Sequence, residues 1–276
     1  MVYYDPTGLK APDYEHPSDR AALAALKSIP VVDKLLAVYL DFNIKSSMYI
    51  RSKGDGFRVT EATYPRLYRL YETALKRLNM QKEPKLLLEL SYEYNAYATG
   101  ASEPYIVLHS SSVRDSTDEE LLYLMGHELG HINSGHVLYH GLARILGNEL
   151  TGIFRGLAPL VSAGLMFSLY DWDRKSELTA DRAGAIAAGG VENAVKYRIR
   201  TMGQGTCSRY VDFSLENVLS QYEDFDMSKD GVVGKLIYTM QTVPQSHPWS
   251  IARIKALTDW SKTEQYQSVM SLTKGM

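Results

Sequence analysis

The sequence His127-Glu128-Leu129-Gly130-His131 lies in a stretch that is typical of a buried helix. Ser116 and Glu119 have the spacing of a capping box, and apolar residues follow at once: Leu121, Leu122, Leu124 and Met125. Residues four apart on a helix are rotated by only about 40°, so His127 and His131 project from one face. Because the helix is buried, a second element must cover this face, and its side chains must be compatible with two neighbouring imidazoles.

The same spacing suits a metal site. A catalytic zinc ion takes three protein ligands and keeps a fourth position open for water, whose pKa the ion lowers toward neutral. His127 and His131 supply two nitrogen ligands, and Glu128 points past the ion toward that water. We therefore predict that Glu128 is the general base, which takes the proton of the water and later protonates a leaving amine.

The third ligand has to be a histidine or a carboxylate, because the chain has only one cysteine, Cys207. Glu177 and Asp181 lie four residues apart on a later predicted helix, so their carboxylates share a face. We interpret one carboxylate as a metal ligand and the other as the acceptor for the far N–H of a ligating imidazole. A solvated acidic face is the alternative for such a pair.

His136 and His140 are rival ligands. His136 follows His127 by nine residues, and His140 follows His131 by the same number, which on a continuous helix is about 900°, or half a turn out of phase. Both side chains then face away from the ion, and we predict that they are solvent or packing histidines. The alternative is a helix that ends at Gly135 and brings His136 round to the ion.

Composition narrows the class of protein. The chain has 276 residues, of which 45% are hydrophobic and 22% charged, and a formal net charge of -2. This balance argues against a nucleic-acid partner, because phosphate contacts need clustered Lys and Arg. The first residues lack the basic and apolar regions of a secretory signal, so we expect a cytoplasmic protein. The sequence does not predict an oligomeric state.

One uncharged run, residues 156–170, is the best candidate for a membrane contact. It is shorter than the roughly 20 residues of a spanning helix, and it contains Pro159. We therefore predict a buried or site-covering helix here, with a peripheral membrane contact as the alternative.

The remaining elements predict a predominantly helical α+β chain. Helical periodicity runs from Ser18 to Tyr39 with a break near Pro30, and it returns from Tyr64 to Leu78. A Gly54-Asp55-Gly56 turn suits a hairpin over residues 48–60, and two further strands are predicted at 86–90 and 105–109. We divide the chain into an N-terminal helical extension, 1–84, and a catalytic domain, 85–276, which together form one compact unit.

Four sequence blocks resemble the HtpX-like and CAAX prenyl protease-like family of zinc metallopeptidases, of the gluzincin type. The first two blocks are Gly126 to His131, with His136 downstream, and Glu177 to Arg182, which matches a Glu-x-x-Ala-Asp pattern. The others are Asn95-Ala96-Tyr97 with Tyr105-Ile106-Val107-Leu108, and His247-Pro248 with Arg253, Ile254 and Leu257.

The resemblance implies a zincin-like fold with an active-site helix and a small sheet whose edge strand faces the cleft. It implies one Zn²⁺ ion on His127, His131 and Glu177, with Glu128 as the base and Asp181 behind a ligand. It also implies that a polypeptide substrate is held by strand addition along Asn95, Ala96, Tyr105, Ile106 and Val107.

The C-terminal block leaves several roles open. His247 or Arg253 is a candidate to stabilise the oxyanion of the tetrahedral intermediate, because each can donate charge-assisted hydrogen bonds. In the alternatives, Arg253 orders Asp181, and His247 is a helix-entry residue. A further hypothesis places His247 on the open zinc position, where it keeps the enzyme latent.

Two functions remain in competition. The first is a zinc endopeptidase that acts on partly unfolded chains in protein quality control, since an edge strand recognises main chain. The second is a weakly active or latent, zinc-containing interaction or chaperone-like module, with the run 156–170 and the region 203–234 as partner surfaces. Glu128 favours catalysis, because a structural zinc ion needs no general base.

Overall fold

The computed structural model describes residues 4–44, 54, 56–100, 103–147, 162–202, 214–225 and 249–273. Among these residues the strands are β1 (Phe57–Arg58), β2 (Lys85–Glu89), β3 (Ala96–Thr99) and β4 (Tyr105–His109). The helices are α1 (Ala11–Tyr14), α2 (Pro17–Lys27), α3 (Pro30–Ile44), α4 (Pro65–Arg77), α5 (Ser110–Asp115), α6 (Asp118–Asn133), α7 (Val137–Gly147), α8 (Ala163–Ala187), α9 (Val191–Met202), α10 (Leu215–Phe225), α11 (Ser250–Trp260) and α12 (Glu264–Leu272). The predicted helical α+β class is confirmed.

The strands form one mixed sheet in the order β1-β2-β4-β3. β4 lies inside the sheet, parallel to β2 on one side and antiparallel to β3 on the other. The expectation that Tyr105, Ile106 and Val107 form a substrate-binding edge is therefore wrong, since neighbouring strands already occupy both sides of their backbone. Among the described strands, β3 is instead the edge strand beside β4, and it contains Ala96, which was predicted to bind substrate together with Asn95.

The active-site helix α6 begins one residue later than predicted. Its N-cap is Thr117, whose hydroxyl accepts from the N–H of Glu120 at 3.3 Å, while the Glu120 carboxylate accepts from the N–H of Thr117 at 2.8 Å. The sequence offers the same box at Ser116 and Glu119. The box at Thr117 and Glu120 forms instead, because Arg200 holds the Glu120 carboxylate at 2.5 Å and the Ser116 hydroxyl is hydrogen-bonded to Tyr94.

Helices α6 and α8 pack at unusually close range. A Cβ atom on Gly126 would lie 2.2 Å from the Cβ of Ala187, and one on Gly130 would lie 2.5 Å from the Cβ of Ala183. Glycine facing alanine thus brings the two backbones together. This close crossing carries the carboxylates of α8 to the histidine face of α6.

Residues on both sides of position 84 contribute to the main hydrophobic cluster. Leu67, Tyr71 and Leu75 of α4 pack in the same cluster as Tyr123 and Leu129 of α6. The division at residue 84 stays a prediction. Of the predicted hairpin, residues 48–51 lie outside the described residues, and Phe57–Arg58 pairs with β2 instead.

A second hydrophobic cluster joins α2, α3 and α7 to the start of α8. It contains Leu165, Leu169 and Trp172, all of which are buried, whereas Phe167 is 46% exposed. The run 156–170 thus packs one face of its described part into the protein, and residues 156–161 lie outside the described residues. Within the described ranges, no helix combines the length and apolar character needed to cross a membrane.

Candidate metal centre

Three predicted ligands meet at the crossing of α6 and α8. The Nε2 atoms of His127 and His131 are 3.2 Å apart. Glu177 presents Oε2 at 3.5 Å from His127 Nε2 and Oε1 at 3.3 Å from His131 Nε2. All three side chains are buried.

This donor set fits a zinc ion. Zinc binds imidazole nitrogen and carboxylate oxygen at about 2.0–2.2 Å, so neighbouring ligand atoms of a tetrahedral site stand about 3.3 Å apart. The two Nε2 atoms, 3.2 Å apart, match this value, and the two oxygens of Glu177 lie 3.5 Å from the His127 nitrogen and 3.3 Å from the His131 nitrogen. Two nitrogens and a carboxylate oxygen are also the donors of a catalytic, rather than a structural, zinc site.

Asp181 lies behind the first ligand. Its Oδ1 atom is 3.2 Å from Nδ1 of His127, on the side of the ring opposite Nε2. A proton on Nδ1 would face this carboxylate, and the Nε2 lone pair would then be free for a metal ion. The predicted pairing of Glu177 and Asp181 at a spacing of four residues thus brings both carboxylates to His127.

Three further residues fix Asp181 in place. Arg253 donates from Nε to Oδ2 and from Nη2 to Oδ1, both at 2.6 Å. Arg198 donates to Oδ1 at 2.7 Å, and the Tyr123 hydroxyl donates to the same atom at 2.5 Å. Arg198 and Tyr123 were not among the predicted site residues. Helical spacing could have indicated Tyr123, because a residue four before His127 shares its helical face.

The two histidines differ in their affinity for protons. Burial disfavours the charged form of His127, but the carboxylates of Asp181 and Glu177 outweigh it and raise the pKa to about 9. Burial lowers the pKa of His131 to about 4 despite the help of Glu177. Without a metal ion, the His127 imidazole is therefore protonated near neutral pH, and the His131 imidazole stays neutral.

A cavity of about 630 Å³ opens beside the three ligands. Glu128 lines it together with His127 and Glu177, and Asn95 and Ala96 line it from the sheet. Tyr197, Arg198 and Thr201 of α9 form another part of the wall. The predicted base, two of the metal ligands and the start of the edge strand thus border one space that is large enough for a stretch of polypeptide.

Among the described residues, no strand pairs with the outer side of β3, and its first residue, Ala96, lines this cavity. His109 donates its N–H to the carbonyl of Asn95 at 3.1 Å, which makes these two residues a hydrogen-bonded pair of the antiparallel ladder. By the alternation of such ladders, Ala96 and Ala98 turn their N–H and C=O groups outward. The Asn95 carboxamide oxygen accepts from the outward N–H of Ala96 at 2.9 Å.

Arg253 is buried and faces both carboxylates of α8, since its Nη1 also lies 2.8 Å from Glu177 Oε2. The structure thus contains the contact expected if Arg253 orders Asp181. It also places the guanidinium in the wall of the cavity. His247 lies outside the described residues, so its oxyanion, latency and helix-entry roles stay predictions.

The expectation that His136 and His140 face away from the site is wrong. Helix α6 ends at Asn133, and Gly135 adopts a left-handed φ of 72°, which turns the chain before α7 begins. His136 then lies with Nδ1 3.1 Å from Nδ1 of His131, and the His140 ring stacks edge-on at 4.6 Å from the His131 ring. Neither side chain replaces Glu177 at the Nε2 side of His131.

Comparison with known proteins gives a consistent picture. The model of peptidase family M48 matches residues 61–261. The chain is 28% identical over 266 residues to "Plastoglobule-localized metallopeptidase 48, chloroplastic" of Arabidopsis thaliana, with 95% of this chain and 76% of that protein covered. It is 43% identical over 61 residues to "Uncharacterized metalloprotease YhfN" of Bacillus subtilis (strain 168), which covers 22% of this chain and 14% of that protein. No solved structure matches significantly.

Proposed function

Since the chain belongs to peptidase family M48, and is therefore a metallopeptidase, we propose that it is an endopeptidase that works with one zinc ion. His127, His131 and Glu177 hold the ion, and Glu128 is the general base. The observation that carries the proposal is the convergence of the His127 and His131 Nε2 atoms, 3.2 Å apart, with the Glu177 carboxylate, which places one oxygen or the other within 3.5 Å of each nitrogen. Burial of all three ligands supports it further.

When bound, the metal acidifies a water molecule and polarises the scissile carbonyl. Glu128 accepts the proton that leaves the water and delivers it to the departing amine, so that the peptide bond is hydrolysed without net change in Glu128. Asp181 holds the His127 ring with its Nε2 lone pair toward the metal. Arg253 and Arg198 hold the Asp181 carboxylate in place for this task.

We propose that the substrate binds as an added strand along β3. The outward groups of Ala96 and Ala98 pair with the main chain of the substrate, and the Asn95 carboxamide leaves the N–H of Ala96 as the substrate arrives. Main-chain pairing requires an extended, unfolded stretch of substrate. This requirement supports a role in clearing partly unfolded chains.

The test pairs metal analysis with peptide cleavage for the wild type and Glu128→Gln. A general base contributes about 10²- to 10⁴-fold to the rate, so the variant should keep its zinc and lose activity by that factor. Glu119→Gln, on the exposed first turn of the same helix, is the matched control and should cleave like the wild type. If zinc is retained and Glu128→Gln cleaves normally, the mechanism is wrong.

The second candidate, a latent interaction or chaperone-like module, makes a different prediction. Wild type and Glu128→Gln would then suppress aggregation of an unfolded client equally well, and neither would cleave it. The cavity that joins Glu128 to the metal ligands favours catalysis, because a module without turnover needs no open space beside the ion.

The place of action is also a proposal. We expect a cytoplasmic protein with a peripheral membrane contact through the run 156–170, where Phe167 is exposed at 46%. The name of the Arabidopsis relative places that relative at plastoglobules. Flotation with lipid vesicles, compared between wild type and Phe167→Asp, tests the contact; equal flotation of the two proteins would contradict it.

A further inference from the structure

The second metal ligand, His131, has a buried partner on the side of its ring away from the metal. Its Nδ1 atom lies 3.1 Å from Nδ1 of His136. His136 in turn places Nε2 3.1 Å from Oδ2 of Asp19. His136 and Asp19 are each only 1% exposed, so both of these contacts are shielded from water.

Asp19 comes from α2, which precedes the part of the chain that matches the family model. Two α8 side chains hold its carboxylate: Trp172 donates from Nε1 to Oδ1 at 3.0 Å, and Thr179 donates from Oγ1 to Oδ2 at 2.5 Å. With His136 as a third donor, a carboxylate with little access to water is fully hydrogen-bonded. Although burial opposes ionisation, the His136 ring and these donors hold the pKa of Asp19 below its usual value.

The direction of each hydrogen bond follows from the chemistry at the two ends. An ionised Asp19 only accepts, so Nε2 of His136 carries the proton and its Nδ1 has a lone pair. Nδ1 of His131 must then carry the proton that is donated to His136. This tautomer leaves the Nε2 lone pair of His131 directed at His127 and Glu177, where the metal is held.

We infer that Asp19 and His136 form a positioning chain that fixes the tautomer and the orientation of His131 as a metal ligand. The inference rests on the proposed metal site. It gives His131 the kind of support that Asp181 gives His127, and it makes α2 part of the active centre. Asp19 and His136 touch neither the metal nor the substrate, so both act through His131.

A second metal ion is the competing explanation for this histidine group. His131, His136 and His140 have ligand atoms within 4.8 Å of one another. However, Nε2 of His136 already faces Asp19, and Nε2 of His140 lies 2.8 Å from the Ser176 hydroxyl and 3.2 Å from Asp173. Hydrogen-bonding partners thus account for Nε2 of His136 and Nε2 of His140. We therefore expect one zinc ion per protein molecule.

The experiment measures the zinc affinity of the full chain by competition with a chelator. Loss of a hydrogen-bonding partner behind a ligand typically costs about 10- to 100-fold in metal affinity. His136→Leu fills the space without an acceptor and should weaken zinc binding by that factor. His136→Asn places a carboxamide oxygen near the former Nδ1 and should recover most of the loss. A side chain that only fills space would not produce this recovery.

Asp19→Asn tests the far end of the chain. A carboxamide can donate to Nε2 of His136 and move the His136 proton to Nδ1, where it opposes the proton of His131. The zinc affinity should fall by about tenfold, at the lower end of the range. The matched control is His140→Gln, a change in the same buried cluster that lies off the chain, and it should leave the zinc affinity unchanged.

The outcomes distinguish a failure of the proposed metal site from a failure of the positioning chain. A wild type that binds no zinc would overturn the proposed metal site itself. A wild type that binds one zinc ion, with His136→Leu folded and equally tight, would overturn the positioning chain alone. Two ions per chain, reduced to one by His140→Gln, would establish the second metal site instead. If Asp19→Asn does not fold, the zinc affinities of His136→Leu and His136→Asn are sufficient to test the positioning chain.

Discussion

Arg253 binds Asp181 through two parallel hydrogen bonds of 2.6 Å, and both side chains are buried. The same guanidinium reaches Glu177 at 2.8 Å. One cation from α11 thus compensates two carboxylates of α8: Glu177, a proposed metal ligand, and Asp181, which lies beside Nδ1 of His127. A bidentate pair of this kind fixes orientation as well as charge.

Arg253→Leu should destabilise the metal-free protein by about 3 kcal/mol, because it leaves two buried carboxylates with less compensation. Arg198 still reaches Asp181, which keeps the effect near the lower end of the range for broken buried pairs. Chemical unfolding in excess chelator measures the change without a contribution from metal release. Arg66→Leu, at an ion pair whose Arg66 side chain is 78% exposed, is the control and should cost well under about 1 kcal/mol.

Gly126→Ala and Gly130→Ala should each destabilise the protein, since the new Cβ would stand 2.2 or 2.5 Å from an alanine Cβ of α8. Forcing two packed helices apart typically costs about 1–3 kcal/mol. Gly164→Ala, in the exposed first turn of α8, is the matched substitution, because its Cβ meets nothing nearer than 3.8 Å. There the better helix propensity of alanine should stabilise, by up to about 1 kcal/mol. If all three substitutions changed the free energy of unfolding in the same direction, the close crossing of α6 and α8 would be contradicted.

Substrates with one N-methylated peptide bond near the cleavage point should reveal strand addition to β3. Methylation removes one main-chain donor, and a hydrogen bond is worth about 0.5–1.5 kcal/mol, so kcat/KM should fall by about 2- to 13-fold. The effect should alternate along the peptide, because only every second residue of an added strand faces β3. A uniform response to methylation at every position would argue against this binding mode.

His16 makes the fold sensitive to mild acid. Burial, with the Arg182 guanidinium acting in the same direction, lowers its pKa from the ordinary 6.5 to about 4. Above pH 6.5 the ring is neutral in both the folded and unfolded states, and no stability is lost. As the pH falls from 6.5 to 4, His16 is protonated in the unfolded state but stays neutral in the folded state. The free energy of unfolding therefore falls over this range.

His16→Asn provides the measurement for this dependence. His16 is the N-cap of α2, where its Nδ1 accepts from the N–H of Ser18 at 3.2 Å. Asparagine caps a helix in the same way and does not titrate. The variant should lose less stability than the wild type as pH falls from 6.5 to 4, in excess chelator. Parallel curves for the two proteins would refute the assignment.

The sequence predicts the central part of the site because that part depends on spacing within single helices. His127 and His131, and likewise Glu177 and Asp181, are each four residues apart, and periodicity alone brings each pair to one face. Asp19, separated from Thr179 by 160 positions, reaches the site only through tertiary packing. Local pattern carries no signal for such a contact.

Two errors have identifiable physical causes. Strand β4 is buried at all five positions, which is typical of a central strand rather than an edge, and its unbroken apolar run Tyr105 to Leu108 was the available signal. The orientation of His136 was misjudged because the helix was extended through Gly135. A glycine that can adopt a positive φ ends a helix readily, and here it does.

The residues that hold the proposed ion or position its ligands extend from Asp19 to Arg253. During synthesis, a ribosome must therefore have translated α11 before the last partner of Asp181 and Glu177 exists. A nascent chain that ends before residue 249 should hold zinc poorly and cleave nothing. On this prediction, the site would bind zinc tightly only after α11 has been synthesised and packed.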